Sequence, residues 1–383
     1  MLAGFECSSH RARGGRRLDL LAATAHDRLA AADYARLPAH GIRAARDGVR
    51  WHLAEPEPGR LDWSTLRPML HAARDAGVQV VWDLCHYGVP DWLDVFSPAF
   101  PDALARFATA VATLVRDEGG TPFYCPVNEI SFWAWAGGEV GRFGPFATGR
   151  GDELKRQLVR AAVAATRAVR AVDPAARFIT AEPLIHVASG TGNPAHDAEA
   201  EHHRLVQFAA CDMLCGRVEP ELGGGSDILD LVGVNFYPDN QWYLGNYTIP
   251  LGHHAHRPLS DMLAEVAARY GRPLLIAETG AEGAGRAAWL HYVGAEVRAA
   301  QERGVAVQGL CLYPILEYPG WEDDRTCHSG LWTAADAEGR RMTHASLAEE
   351  LAVQQGLFDA GRQARPGAPP LDPAKGSPLE TPT

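Results

Sequence analysis

The sequence predicts a single (β/α)8 (TIM) barrel, an α/β fold, from three observations. Eight short apolar segments alternate with Ala-, Leu- and Arg-rich segments of helical length. The apolar segments are nearly continuous hydrophobic runs, as expected for parallel strands that are buried on both faces. The Gly-x-Gly-x-x-Gly turn that a doubly wound, two-domain alternative would need after its first strand is absent from the sequence.

The predicted strands and helices follow one another in chain order. The strands are residues 2–7, 44–51, 78–84, 123–127, 177–181, 229–236, 273–277 and 305–312. Helices are predicted between them, for example at residues 64–76, 102–118, 152–172, 196–217, 260–270 and 287–303. In the third of these, Leu154, Leu158 and Ala161 recur at helical spacing, and Asp173-Pro174 ends the helix.

The chain of 383 residues divides into one barrel and a tail. The barrel is predicted to span residues 1–355. Residues 356–383 are predicted to be a Pro-rich, disordered C-terminal tail, because prolines accumulate there while large apolar residues become rare.

Charge and cysteine usage exclude several classes of protein. The net charge of −11 argues against nucleic acid and anionic membrane surfaces as partners, because both require a basic face. No apolar run approaches the roughly 18 residues of a membrane helix, and the N-terminus turns basic too early for a secretory signal. Seven cysteines without a Cys-x-x-Cys motif are expected to be packing residues. We therefore expect a cytoplasmic protein without disulfide bonds.

Polar and aromatic side chains stand at the predicted strand ends, where barrel enzymes collect their reactive groups. The set contains carboxylates, amides, a histidine, an arginine and many aromatic rings. Such a mixture suits a carbohydrate, whose C–H faces pack on rings and whose hydroxyls need polar partners. The members are Arg46, Trp51, His86, Tyr87, Asn128, Glu129, Glu182, Asn235, Tyr237, Glu278, Tyr313, Glu317, Trp321 and Glu322.

Glu129 and Glu278 each end an apolar strand, where an uncompensated charge is costly. Glycoside hydrolysis needs such a pair, one protonated carboxyl for the leaving oxygen and one carboxylate for the anomeric carbon. Arg46 and Tyr237 are candidates for keeping Glu278 ionised, and Asn128 is a candidate ligand for a sugar hydroxyl.

Five motifs in the sequence resemble motifs of known glycoside hydrolases. Residues 127–129 (Val-Asn-Glu) resemble the strand-4 signature of retaining glycoside hydrolases of clan A, and residues 273–280 resemble their strand-7 nucleophile segment. Residues 46–51, 84–93 and 233–237 resemble the strand-2, strand-3 and strand-6 elements of family 1, the β-glucosidase-like family. The five motifs occur in the family's order, and the resemblance covers about residues 1–355.

The resemblance implies a retaining β-glycosidase that acts on small glycosides without metal or cofactor. By it, Glu129 is the general acid/base and Glu278 the nucleophile. Their carboxyls are then expected to lie about 5–5.5 Å apart. The supporting or substrate-binding residues that it implies are Arg46, His86, Asn128, Asn235, Tyr237, Tyr313, Trp321, Glu322 and His10.

The sequence departs from the family pattern at four places. One of them is the family's Glu-Trp loop, which is rearranged at residues 317–324. Ile130 replaces the proline that follows the strand-4 glutamate, and Tyr313 replaces a strand-8 tryptophan. In strand 1 the family's sugar-binding glutamine is missing, so His10 or Arg11 is a candidate for contacting the glycone. These positions leave the identity of the sugar open, and the aglycone and the oligomeric state are open as well.

Three alternatives remain beside a retaining β-glycosidase. A transglycosylase would use Trp133, Trp135, Trp242 and Trp321 as an apolar acceptor site. A non-catalytic carbohydrate-binding barrel would not need both Glu129 and Glu278. A metal-dependent hydrolase would need convergent ligands, and no strand end carries His-x-His.

Overall fold

Eight parallel strands form the centre of the computed structural model, which describes residues 1–363 except Asn246 and Asp324. Each strand pairs with its neighbours in chain order, and β1 pairs with both β2 and β8, as the predicted barrel requires. The strands are β1 (Leu2–Gly4), β2 (Ala44–Gly48), β3 (Gln79–Asp83), β4 (Phe123–Cys125), β5 (Arg177–Phe178 and Glu182–Pro183), β6 (Val232–Asn235), β7 (Leu274–Thr279) and β8 (Val307–Leu312).

Strand β5 consists of two short segments, and together they complete the barrel between β4 and β6. Its first segment pairs with β4 and its second with β6. Ile179 bridges to Leu231 between the two segments. The predicted single (β/α)8 barrel is thereby confirmed.

One main helix follows each strand and packs on the outside of the sheet. The helices are α1 (His26–Arg36), α2 (Arg67–Asp75), α3 (Phe100–Asp117), α4 (Gly151–Val172), α5 (Pro194–Leu205), α6 (Leu259–Tyr270), α7 (Arg286–Glu302) and α8 (Ala345–Gln363). The helix predicted at 196–217 is interrupted, since α5 gives way to a 3-10 turn (Val206–Phe208) and a short helix (Ala209–Leu214).

Apolar side chains form two cores. The larger core lies between the sheet and the helices, and it includes Trp51, Phe107 and Leu158. The smaller core fills the barrel interior with Val81, Cys125, Ile179, Ala181, Leu231, Leu275 and Ala277. The strands therefore bury both faces, which explains why their sequences are continuous apolar runs.

The final helix changes the predicted boundary between barrel and tail. Helix α8 runs to Gln363, so the first residues of the segment 356–383 belong to the barrel. Phe358 packs against the main core, and the Arg298 guanidinium of α7 lies 5.4 Å from the centre of its ring. The apolar contact explains why the helix continues past 355, and residues 364–383 lie outside the described residues.

Short elements decorate the loops at the carboxyl end of the barrel. The short helices are Leu20–Ala23, Trp51–Ala54 and Ile130–Trp133, the last continued by a π-helical turn at Ala134–Glu139. Short strands at His186–Ala188, Gln241–Tyr243 and Tyr247–Thr248 form a separate sheet, and Tyr318–Pro319 pairs with Thr326–Cys327. Within the described ranges, every helix is too short or too polar to cross a bilayer.

Candidate active site

A cleft of about 1190 Å³ opens at the carboxyl ends of the strands. Its size suits a ligand of one to a few sugar rings. Residues that end or follow six different strands line it, namely Glu6, His86, Glu129, Tyr237, Glu278 and Tyr313.

A β-bulge in β7 aims Glu278 into this cleft. Leu275 and Ala277 face the barrel interior, so strict alternation would turn Glu278 outward. The pairing with β6 skips one residue of β7 between Ile276 and Glu278, and Glu278 lies opposite Asn235. The extra residue turns the strand so that Glu278 faces the cleft.

Both carboxylate oxygens of Glu278 are held by the protein. Arg46 donates from Nη1 to Oε1 at 2.6 Å, and the Tyr237 hydroxyl donates to Oε2 at 2.8 Å. Arg46 also donates from Nε and Nη2 to both oxygens of Asp83, at 2.9 and 2.6 Å, and from Nη2 to Asn128. These partners hold a guanidinium that is only 1% exposed against the carboxylate of Glu278.

Glu129 follows β4, directly before the short helix Ile130–Trp133, in a left-handed conformation with φ of 44°. Its backbone N–H donates to Ala181 O on β5 at 2.7 Å. The Tyr87 hydroxyl donates to Oε2, and Asn235 Nδ2 donates to Oε1 at 2.9 Å. Asn235 is thus on the side of the acid/base candidate, whereas Tyr237 is on the side of Glu278.

Burial and, after it, the negative charge of Glu278 raise the pKa of Glu129 to about 8, against the lowering effect of the Tyr87 and Asn235 donors. A carboxyl with this pKa holds a proton at neutral pH. The two glutamates therefore differ in environment, one beside a guanidinium and one beside neutral donors.

Glu182 holds the short helix that starts after Glu129. Its Oε2 accepts the Ser131 N–H at 3.1 Å. The backbone N–H of Ile130 lowers the pKa of Glu182 together with the Ser131 donors. Burial is the larger effect and raises that pKa to about 7. Glu182 thereby supports the backbone of Glu129 from β5.

His86 and Asn128 are buried behind the two glutamates. Asn128 is fully buried, and its Nδ2 lies 3.0 Å from both His86 Nε2 and the Tyr87 hydroxyl oxygen. Its Oδ1 accepts from Arg46. All these bonds stay within the protein, so Asn128 positions its neighbours, while His86 also lines the cleft.

One group of possible metal ligands occurs among residues 1–363 as described, formed by Cys7, Asp83 and His86. Arg46 already binds both Asp83 oxygens, and Asp83 Oδ2 lies 2.8 Å from His86 Nδ1. The Asp83 carboxylate is therefore already engaged by Arg46 and His86 instead of being free for a metal ion. The group is better described as a hydrogen-bonded network that orients His86.

Tyr313 lines the cleft after β8, whereas His10, which follows β1, is buried and is not among the residues that line the cleft. Tyr313 is 1% exposed, and the Arg46 guanidinium lies 5.5 Å from its ring centre. His10 packs against Phe143 and Trp321, with ring centres 4.4 and 4.6 Å away. Burial lowers the pKa of His10 to about 3, so its ring is neutral.

The remaining predicted residues separate into two groups. Trp135, Trp242 and Trp321 line the cleft, whereas Trp133 is buried in the core. Glu322 is exposed and pairs with Arg142 at 2.7 Å, outside the lining of the cleft. Likewise, Arg11 pairs with Asp91 at the surface. These ion pairs hold the Glu322 and Arg11 side chains outside the lining of the cleft.

Sequence reasoning missed Glu6 and the role of Tyr87. Glu6 follows β1, lines the cleft and is only 8% exposed. It satisfies the criterion that selected Glu129 and Glu278, a carboxylate late in an apolar strand segment. Tyr87 was noted at the end of the third strand, but its contact with Glu129 depends on a backbone φ of 62° that no pattern reveals.

Comparisons with known proteins find similarity in structure and none in sequence. No family model and no curated protein matches the chain. Solved structures match it over most of its length. The family 1 β-glucosidase from Thermotoga maritima has a TM-score of 0.75 at 16% identity, covering 90% of each chain.

Two further structures give the same result. The Thermotoga maritima β-glucosidase in complex with glucoimidazole has a TM-score of 0.76 at 16% identity, again covering 90% of each chain. The AHE enzyme from Alicyclobacillus herbarius has a TM-score of 0.73 at 20% identity, covering 86% of this chain and 88% of that one. The chain thus has the (β/α)8 barrel fold seen in a family 1 β-glucosidase, the fold that its sequence motifs predict.

Proposed function

We propose that the protein is a retaining β-glycosidase, similar to β-glucosidases, that hydrolyses O-glycosidic bonds of small glycosides by double displacement. One observation carries the proposal. Two carboxyls from different strands of one barrel face the same cleft: Glu278 is paired with the Arg46 guanidinium, whereas burial raises the pKa of Glu129. Retaining glycosidases need this combination.

In the first step the Glu278 carboxylate attacks the anomeric carbon and forms a glycosyl ester, while Glu129 transfers its proton to the departing oxygen. In the second step Glu129, now ionised, takes a proton from water. The resulting hydroxide oxygen attacks the anomeric carbon and releases Glu278 as a carboxylate. The Arg46 and Tyr237 contacts stabilise the carboxylate that enters and leaves the cycle.

The similar fold of β-glucosidases supports this chemistry, since one of those structures is a complex with glucoimidazole. The separation of about 5–5.5 Å between the two carboxyls remains a prediction, as does a cytoplasmic place of action. His86 and Tyr237 are the proposed glycone contacts from the residues that line the cleft.

The test is a panel of aryl β-glycosides combined with a 2-fluoro-glycoside inactivator. We expect the inactivator to label Glu278, and NMR of the first product to show a retained β-anomer. Glu278→Gln should abolish turnover. With a leaving group that needs no proton, Glu129→Gln should still form the glycosyl ester in a rapid burst but hydrolyse it slowly, because Glu129 also takes the proton from water. A control substitution, Glu322→Gln, changes a carboxylate outside the cleft lining and should leave turnover unchanged. Labelling of another residue, or an inverted product, would refute the mechanism.

Transglycosylation is a second candidate, favoured by aromatic rings at the Glu129 side of the cleft. Phe132 and Trp135 line it with ring centres 5.8 Å apart, and Trp135 is 48% exposed. Such a surface can hold a sugar or an alcohol in place of water. Product analysis with added acceptor distinguishes the two, because only transfer yields a new glycoside.

A further inference from the structure

Glu6 is a third carboxylate in the cleft that the proposed reaction does not use. It follows β1, and its Oε1 accepts hydrogen bonds from the backbone N–H and the hydroxyl of Ser8. Its Oε2 makes no hydrogen bond with any residue in the described part of the chain. The side chain is more than nine-tenths buried and lines the same cleft as Glu129 and Glu278.

No lysine or arginine of the described ranges forms an ion pair with Glu6. Arg46 is occupied by Asp83, Glu278 and Asn128, and the His86 Nδ1 atom faces Asp83. Burial raises the pKa of Glu6, and the charge of His86 acts against that effect. In the described part of the chain no cation is hydrogen-bonded to the Glu6 carboxylate, so its ionised form is costly. The missing positive charge can be supplied by a ligand that enters the cleft.

The other charged residues that line the cleft also favour a positively charged ligand. Its lining contains a single lysine, Lys155, which faces Asp152 at 4.0 Å. A phosphorylated or carboxylated sugar would meet net negative charge there. The carboxylates of the lining are Glu6, Glu129, Glu139, Asp152, Asp239, Glu278 and Glu282.

Glu6 belongs to the glycone end of the cleft. It acts electrostatically on Glu278, Tyr237 and Tyr313, which surround the nucleophile candidate. The leaving group departs on the other side, next to Glu129 and the rings of Phe132 and Trp135.

We propose that Glu6 recognises a protonated amine on the glycone, so that the preferred substrates are β-glycosides of an amino sugar. The assignment rests on the proposed glycosidase function. The free Oε2 atom accepts an N–H of the ammonium group. This ion pair compensates the Glu6 carboxylate for the hydration that it loses by burial. A neutral sugar leaves the carboxylate unpaired and binds less well.

The test compares nitrophenyl β-glucoside with analogues in which an amine replaces the 2-, 3-, 4- or 6-hydroxyl. For wild type, we expect one amino analogue to exceed the neutral glucoside in kcat/KM by about 30-fold or more. Glu6→Gln keeps the shape and the Ser8 contacts but removes the charge, so that preference should vanish while the neutral glucoside is still hydrolysed. Glu282→Gln, a rim carboxylate of the same cleft paired with Arg325, should keep it.

Calorimetric binding of the corresponding free amino sugars and of glucose separates this assignment from the glycosidase proposal. If no glycoside is hydrolysed but an amino sugar binds more tightly than glucose to wild type and not to Glu6→Gln, the glycosidase proposal fails and the Glu6 assignment stands. If neutral glycosides are hydrolysed and Glu6→Gln leaves every ratio unchanged, the Glu6 assignment is wrong. Thermal unfolding of each variant shows whether it is folded.

Discussion

Two buried charge clusters lie on opposite faces of β2, and they begin at adjacent residues. Arg46 faces the barrel interior and binds Asp83 and Glu278. Asp47 faces the helical layer, where its Oδ2 lies 2.9 Å from His26 Nε2. Both clusters combine full burial with short ion pairs, so they can be compared directly.

In the second cluster, called here the His26 cluster, the charged groups bind one another. His26 Nδ1 lies 2.9 Å from Asp33 Oδ2, and Arg341 donates from Nε to Asp33 Oδ1 at 2.8 Å. The Tyr34 hydroxyl donates to Asp47, and the His26 ring stacks on Phe5 with centroids 3.7 Å apart. The cluster joins α1 to the segment before α8 and lies outside the cleft lining.

The first cluster, called here the Arg46 cluster, consists of Arg46, Asp83 and Glu278. It reaches the cleft through Glu278, which is one of the lining residues. Burial and ion pairing therefore do not distinguish a functional cluster from a structural one in this protein. The distinguishing property is that a charged group of the cluster reaches a cavity large enough for a ligand. The comparison predicts that the clusters respond differently to substitution.

The largest effect is expected for Arg46→Met, which removes the cation from Glu278 and Asp83 together. We expect kcat/KM for an aryl glycoside to fall by at least about 10³-fold, because the nucleophile loses its charge partner. We also expect a lower unfolding temperature, since Asp83 is left buried without its cation. Turnover near the wild-type level would show that Arg46 has no role in the reaction.

His26→Gln should affect stability alone. Loss of the central cation of the His26 cluster should cost about 3–5 kcal/mol of unfolding free energy in urea titrations. The folded variant should keep the wild-type kcat/KM, because the His26 cluster does not reach the cleft. A fall in kcat/KM without a change in unfolding free energy would contradict the distinction between the clusters.

The pH dependence of stability provides a smaller effect from the same residue. Burial acts to lower the pKa of His26, but Asp47 and Asp33 outweigh it and raise it from the ordinary 6.5 to about 9. Because the pKa of His26 is higher in the folded state, its protonation adds to the unfolding free energy. This contribution is complete below pH 6.5 and is lost as the pH rises through 9. The unfolding free energies of wild type and His26→Gln should converge by about 3 kcal/mol across this window. A constant difference would mean that His26 does not titrate there.

The smallest effect is expected for Tyr87→Phe. The Tyr87 hydroxyl lowers the pKa of Glu129, which burial raises, so its removal should raise that pKa further. The alkaline limb of the pH profile of kcat/KM, expected near pH 8, should move up by about half to one unit. Tyr34→Phe removes the corresponding hydroxyl from the His26 cluster and should leave the limb in place. Equal profiles for all three proteins would argue against Glu129 as the acid.

The sequence predicts the barrel well because eight apolar segments, each buried on both faces, are readable one by one. It also predicts the Glu129 and Glu278 positions, since a carboxylate at the end of such a segment is unusual. Contacts between side chains of different strands, such as Arg46 on β2 with Asp83 on the neighbouring β3, cannot be read from one segment. Glu322 shows the reverse case, because its loop position was readable but its ion pair with Arg142 was not.

The bulge in β7 and the left-handed backbone of Glu129 have a consequence for protein engineering. Both catalytic candidates are aimed by an irregularity of the main chain, and an idealised barrel carrying the same residues would point Glu278 into its helical layer. Grafting this site onto another scaffold therefore requires copying the two backbone irregularities before any side chain.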